Sequence, residues 1–219
     1  MKYIIVFIVF LVPHYVVSQN YDLNYTNKIN KHNRVAHDRF ITFGLNMNIS
    51  EPFLEDHFSG RFNLGYEFIP IKRLPINVET RFSLFFDACK DKNWLYENNY
   101  FSYNIFTPSI VIVPKYIYEI SDDFSLFVDN EFSCGIPLGS VNYNQVKSSK
   151  INKRKILLAY GCNIGVRIHV DSFNADFKVG YTTFDIYNTV KRNKPQNYKQ
   201  TIPHPNGDFN VSMAFLFPL

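Results

Sequence analysis

The sequence predicts an all-β chain: a closed, antiparallel, eight-stranded transmembrane β-barrel with short turns at one end and long loops at the other. Three observations predict it. From Arg39 onward, apolar and polar residues alternate with period two in eight separate segments. The apolar face of each segment carries no charge. The connections between segments alternate strictly between short and long. Period two marks a strand with two chemically different faces. The 22 Phe and 15 Tyr against one Trp agree, because aromatic side chains favour strands.

Residues 1–18, MKYIIVFIVFLVPHYVVS, read as a secretion signal. Lys2 supplies a positive start, Tyr3 to Val12 an apolar run, and Val16 and Ser18 a small-residue cleavage site before Gln19. The run is shorter than the roughly 20 residues a helical span needs, and Pro13 ends it. No Cys follows the site, so a lipid anchor is not indicated. Residues 19–38 are rich in Asn, Lys and Tyr without period and read as a periplasmic lead-in.

The segments then follow in order. Ile41, Phe43, Leu45 and Met47 alternate with Thr42, Gly44, Asn46 and Asn48. Phe62, Leu64 and Tyr66 alternate with Arg61, Asn63, Gly65 and Glu67. Residues 76–89 place Val78, Phe82, Leu84 and Phe86 against Glu79, Arg81, Phe85 and Asp87. The fourth segment, 109–120, is the least regular: Pro114 sits among Ile110, Ile112 and Tyr116, opposite Lys115 and Glu119. The fifth sets Leu126, Val128, Asn130 and Phe132 against Asp129, Glu131 and Gly135. The sixth sets Leu158, Ile164 and Val166 against Gly161, Gly165, Arg167 and His169. The seventh sets Phe177 and Val179 against Asp176, Lys178 and Gly180, and the eighth ends the chain on Phe215, Phe217 and Leu219.

A water-soluble β-sandwich also alternates, so the polar face decides. Six of the nine Gly stand on it, interspersed with acids, bases, Asn and Ser. Small residues beside long charged ones suit a crowded lumen better than a solvated sheet. Loop lengths decide too. The connections 69–75, 121–123 and 171–174 are short; 50–60, 90–108, 137–156 and 184–207 are long. Transmembrane barrels have short periplasmic turns and long outer loops. An even strand number with both ends on the short-turn side follows. Pro114 cannot donate to a ladder, so a bulge or local gap is expected there.

On this pattern, over Arg39 to Leu219, the chain resembles the small eight-stranded outer-membrane barrels, the class of outer membrane proteins A and X. Its last strand resembles their C-terminal targeting strand, with Leu219 where that strand usually ends in Phe and Pro218 before it. The taste for Asn, Lys and Ile resembles Bacteroidota-type outer-membrane β-barrel proteins. The resemblance implies residence in a bacterial outer membrane, with lipid and lipopolysaccharide as its surroundings.

An eight-stranded barrel is just wide enough for side chains to fill. The lumen face is expected to hold an ionic network of Arg61, Glu67, Glu79, Arg81, Lys115, Glu119, Asp129, Glu131, Arg167, His169, Asp176 and Lys178. The surplus of acids places Asp87 and Asp208 at the wet rims. A network of this kind closes the barrel; a narrow gated conduit is the competing reading.

Chemistry is sparse. His169 and Ser172 resemble the residue types of a lipid A deacylase, but they stand at the periplasmic end, so a lumen role for His169 is favoured. His57 with Asp56, and His204 with Asp208, read as solvated loop residues. Cys89, Cys134 and Cys162 lack metal spacing and read as small apolar residues. No phosphate loop or HExxH motif is present, so no enzyme, metal or cofactor is expected. The net charge of +4 is too small to indicate nucleic acid. The long loops are more telling. Lys147, Lys150, Lys153, Arg154 and Lys155 stand in one, and Lys191, Arg192 and Lys194 in another, with Asp185 the sole acid. Such loops attract anions, of which lipopolysaccharide phosphates are the nearest. Trp94, Tyr96, Tyr100 and Tyr143 are candidate anchors for an extracellular protein or glycan. The expected function is therefore structural: a closed barrel presenting basic, Tyr- and Asn-rich loops. A transport accessory is the alternative, and a lipid hydrolase is the weaker one.

Overall fold

A computed structural model describes residues 38–49, 56–71, 74–92, 100–143, 149–151, 155–184, 186–193 and 208–219. The expected signal, 1–18, and the lead-in as far as residue 37 lie outside them. The described elements are β1 (Arg39–Ile49), β2 (Asp56–Phe68), β3 (Ile76–Lys92), β4 (Tyr100–Glu119), β5 (Phe124–Gly135), β6 (Leu138–Tyr143), β7 (Ser149–Lys150), β8 (Leu157–Val170), β9 (Phe173–Thr182), α1 (Tyr187–Arg192) and β10 (Asp208–Pro218).

Each strand pairs antiparallel with its neighbour around a ring: β1–β2–β3–β4–β5–β8–β9–β10, with β10 returning to β1. The ring has eight staves. β6 pairs with β4 above β5, and β7 pairs with β6, so neither adds a stave. β6 in fact continues β5. Ser109 opposes Gly135 and Phe106 opposes Leu138, so the register does not slip between them.

The ring is inside-out relative to a water-soluble protein. Phe62, Phe82, Ile110, Ile112, Phe132, Ile164, Val179 and Val211 point outward and are exposed, while Glu67, Glu79, Asp129 and Arg167 point inward and are buried. A continuous apolar belt of this extent requires lipid, not water. In lipid every backbone polar group must find a partner, which a closed ring provides without an edge. No described helix is long and apolar enough to cross a membrane; the crossing elements are strands. The chain is a transmembrane barrel.

Glycine makes the interior packing possible. A Cβ on Gly165 would sit 2.5 Å from both Phe127 Cζ and the Phe177 carbonyl oxygen. One on Gly65 would sit 2.5 Å from Thr42 Oγ1 and 2.9 Å from the Thr80 carbonyl oxygen. Staves lean together at these points because no side chain stands between them.

Two expectations about the staves need correction. The stretches 90–108 and 137–156 are not simply loops: β3 runs to Lys92, β4 begins at Tyr100, and β6 and β7 lie within the second stretch. At about 3.3 Å per residue the 20-residue β4 spans roughly 66 Å, far more than a tilted crossing of a ~30 Å hydrocarbon layer needs. Above the belt the period persists but its phase inverts. Phe106, Ile110 and Ile112 of β4 point outward, whereas Ile105 is buried inward and Asn104 is exposed. The outer face has passed from lipid into water.

Pro114 produces a gap rather than a bulge. The β4–β5 pairing runs from Ser109↔Gly135 to Ile112↔Phe132, lapses, and resumes at Lys115↔Asp129 in the same register. Ile136 donates to the Pro108 carbonyl, so even-numbered residues of β4 turn their backbone groups toward the β5 stave. Ile117 donates to Pro75, so odd-numbered ones turn toward β3. Pro108 and Pro114 are both even. Both withhold an N–H from the β5 stave, and the β3 ladder passes Val78↔Pro114 without interruption.

Candidate functional site: the lumen and its mouth

The middle of the lumen is filled by five acids and five bases. Glu67 meets Lys115 at 2.7 Å and Arg167 at 2.8 Å. Asp176 meets Arg167 at 2.6 Å and Lys115 at 3.1 Å. Lys115 also reaches Glu79 at 2.8 Å, and Glu79 pairs with Arg81 at 2.8 Å. Arg81 passes the chain upward to Glu131 at 2.9 Å. Glu131 takes Arg61 at 2.6 Å and Lys178 at 2.6 Å, and Lys178 ends on Asp129 at 2.7 Å. The ten groups form one connected, charge-balanced web. Neutral donors complete the acids: Asn77 to Glu67 and Thr42 to Glu79, each 2.6 Å, and Asn163 to Asp129, 2.5 Å. Lys115 also lies over the Phe127 ring, 5.7 Å from its centroid. Charges this buried persist only when paired and hydrogen-bonded.

Two residues expected in the web stand outside it. Glu119, the last residue of β4, is exposed, one strand end beyond the ions. His169 is half-buried at the short-turn end with neutral hydrogen-bond partners. Its Nε2 is 2.7 Å from Ser125 Oγ and its Nδ1 3.1 Å from Asn174 Oδ1. A Ser–His–Asn row has the order of a nucleophile, a base and an orienting group. Ser125 has no exposed surface, so no substrate reaches its hydroxyl. Ser172 is exposed in the turn after β8. Asp87, expected at a wet rim, is buried at 5% exposure, because β3 continues past it into the extension. The side chains of Asp208, Asp56 and His57, and all of His204, lie outside the described residues.

Above the web the lumen turns apolar, which the sequence reading missed. Phe85 of β3, Ile105 of β4, Val141 of β6, Ile151 after β7, and Phe184, Ile186 and Val190 around α1 form one buried cluster. Tyr103, Leu157 and Ala159 pack against it. Phe184 lies on Phe85 with ring centroids 4.1 Å apart. The available signal was the phase: Phe85, Leu157 and Ala159 all occupy the face otherwise given to polar residues.

Of the basic loop candidates, Lys155, Lys191 and Arg192 are exposed. Lys150 lies in β7, while Lys147, Lys153, Arg154 and Lys194 lie outside the described residues. So do Trp94, Tyr96 and the side chains of Tyr100 and Tyr143. Cys134 and Cys162 are exposed on the apolar belt and Cys89 is buried inward; none is in a disulfide. Among the described residues no group of His, Cys, Asp and Glu is arranged to hold a metal.

No family model and no curated protein matches the chain. Solved structures do. Neisserial surface protein A is similar at 13% identity and a TM-score of 0.48, over 83% of this chain and 97% of that one. Ail, the attachment invasion locus protein of Yersinia pestis, solved with the heparin analogue sucrose octasulfate, is similar at 16% identity and a TM-score of 0.43, over 81% of this chain and 94% of that one. At these identities no residue role passes from them to this chain.

Proposed function

We propose that the protein is a structural and interaction protein of a bacterial outer membrane, a non-enzymatic barrel that does not conduct and that presents its long loops outward. The observation that carries this reading is the ten-ion web. Its members reach across from β2, β3, β4, β5, β8 and β9, and its acids and bases balance. An ion entering the lumen would have to break several buried pairs at once, each costing about 3–5 kcal/mol to leave uncompensated. A narrow pore would need a continuous wet path instead. The test is the full-length protein in a planar bilayer at 1 M salt. No discrete conductance steps are expected; steps that disappear on adding an impermeant blocker from the outer side would overturn the reading.

The basic loop residues support a second, finer reading. Lys155, Lys191 and Arg192 are exposed at the outer end, and the flanking loop sequences carry further Lys and Arg with almost no acid. We infer that they contact anionic groups outside the membrane, with the phosphates of the surrounding lipopolysaccharide as first partner and an acidic glycan as second. Lys155→Ala/Lys191→Ala/Arg192→Ala should weaken retention on immobilised polyanion at low salt. Unchanged retention would remove this reading and leave the closed barrel untouched.

A further inference from the structure

We propose that α1 is a stopper: one apolar cluster holds the outer mouth shut, and its release opens a dead-end vestibule above the ionic web rather than a channel. The inference rests on the closed-barrel reading only for the floor of that vestibule; the stopper itself stands on separate residues.

α1 has no reason to be a helix on its own. It is six residues long, carries no side-chain cap on its first turn and no acid there, and contains Thr189 and Val190. Isolated helices of this length do not persist in water. β-branched residues lower helix propensity further. What holds α1 in place is contact. Phe184, Ile186 and Val190 are buried against Phe85, Ile105, Val141 and Ile151. These contacts are apolar, and they join a segment between β9 and β10 to the opposite wall of the barrel.

At and beneath the level of Phe85 the inward side chains are polar, small and buried. Ser83 and Thr107 have no exposed surface, and Ser109 and Asn63 are 5% exposed. Thr107 Oγ1 and, on α1 itself, Thr189 Oγ1 are buried without a hydrogen-bond partner. Buried hydroxyls left this way favour a state in which water reaches them. Lifting the stopper wets this layer. Arg61, opposite Phe85, borders the cluster; its pair with Glu131 and the rest of the web are expected to stay in place. The vestibule thus has an apolar wall, a polar floor and no exit.

Thiol accessibility tests this directly. In the full-length protein in lipid vesicles, Cys89, Cys134 and Cys162 are replaced by Ala, and Thr107→Cys is introduced as reporter. Thr107 lies opposite Phe85 across β3 and β4, and its hydroxyl makes no bond to lose. With α1 intact, a membrane-impermeant maleimide should react at most at a tenth of the unfolded-chain rate, since a minor open state is populated at about 0.1–10%. Val190→Asp should raise that rate at least tenfold, with bilayer conductance still absent. Only the heat-modifiable, folded band is scored. If Val190→Asp yields no folded band, Val190→Ala replaces it, with a several-fold rise expected. An unchanged rate in the folded variant overturns the stopper. Rapid labelling with α1 intact overturns it as well. A rise in rate accompanied by conductance supports the stopper and overturns the ionic floor.

Discussion

Glu67 has no exposed surface and takes hydrogen bonds from Lys115, Arg167 and Asn77. Removing it leaves two cations sharing Asp176 and Glu79. Breaking a buried pair by deleting one partner costs about 3–5 kcal/mol, because the other charge stays buried. Glu67→Ala should therefore lower the unfolding free energy in lipid vesicles by about that amount, read from guanidinium titration; a loss under about 1 kcal/mol would mean water already reaches the web. The membership of Glu67 is legible in the sequence, since period two alone puts it on the inner face. The exclusion of Glu119 and His169 is not. Strand parity gives the face of a residue and not its height, and these two stand just past the ions. Of the neutral partners of His169, Asn174 is its cross-strand neighbour in the β8–β9 hairpin, whereas Ser125 lies 44 residues away and carries no local signal.

At the scale of elements, the prolines of β4 interrupt its seam with β5. Pro114 turns a donor-less nitrogen toward Asn130 of β5, and Pro108 does the same toward Ile136. Asn130 lies on the outer face, buried, where it accepts a hydrogen bond from the Tyr160 hydroxyl. Pro114→Ala restores an N–H to this seam. A net gain of about 0.5–1.5 kcal/mol is expected for one recovered backbone hydrogen bond. Hydrogen exchange at the neighbouring β5 amides should slow in step; faster exchange would place the weak seam elsewhere. Strand positions inside the belt are legible because lipid outside and ions inside give opposite chemistry to alternate residues. The strand tops are not, because water replaces lipid there and the apolar residues change sides. Ile105 and Val141 obey the same period as Ile110, with inverted meaning. The α1 cluster is hidden for the same reason, being assembled from residues whose apolar character has no periodic frame.

For the whole molecule, ring closure and membrane crossing are one statement. An eight-fold ring with an ionic interior is stable only where its outer face meets hydrocarbon. Ile164 is near the middle of β8 and is 57% exposed. Ile164→Arg should destabilise the folded barrel by about 2–4 kcal/mol in a bilayer, the cost of a cation at the midplane of a barrel's lipid face. A neutral result would place this face in water. The alternation of short and long connections makes it legible from sequence that both ends of the barrel lie on the short-turn side. The outer extension is not legible, since its height depends on pairing among β3, β4, β6 and β7 rather than on composition.

The most direct measurement is electrophoresis of the outer-membrane fraction in SDS, boiled and unboiled, probed for this chain. A closed barrel resists SDS at room temperature and migrates faster before boiling, shifting to the 25.7 kDa position of the unfolded chain, less any signal removed, on heating. The account predicts that shift. Recovery in a soluble fraction, with no change on heating, would contradict it.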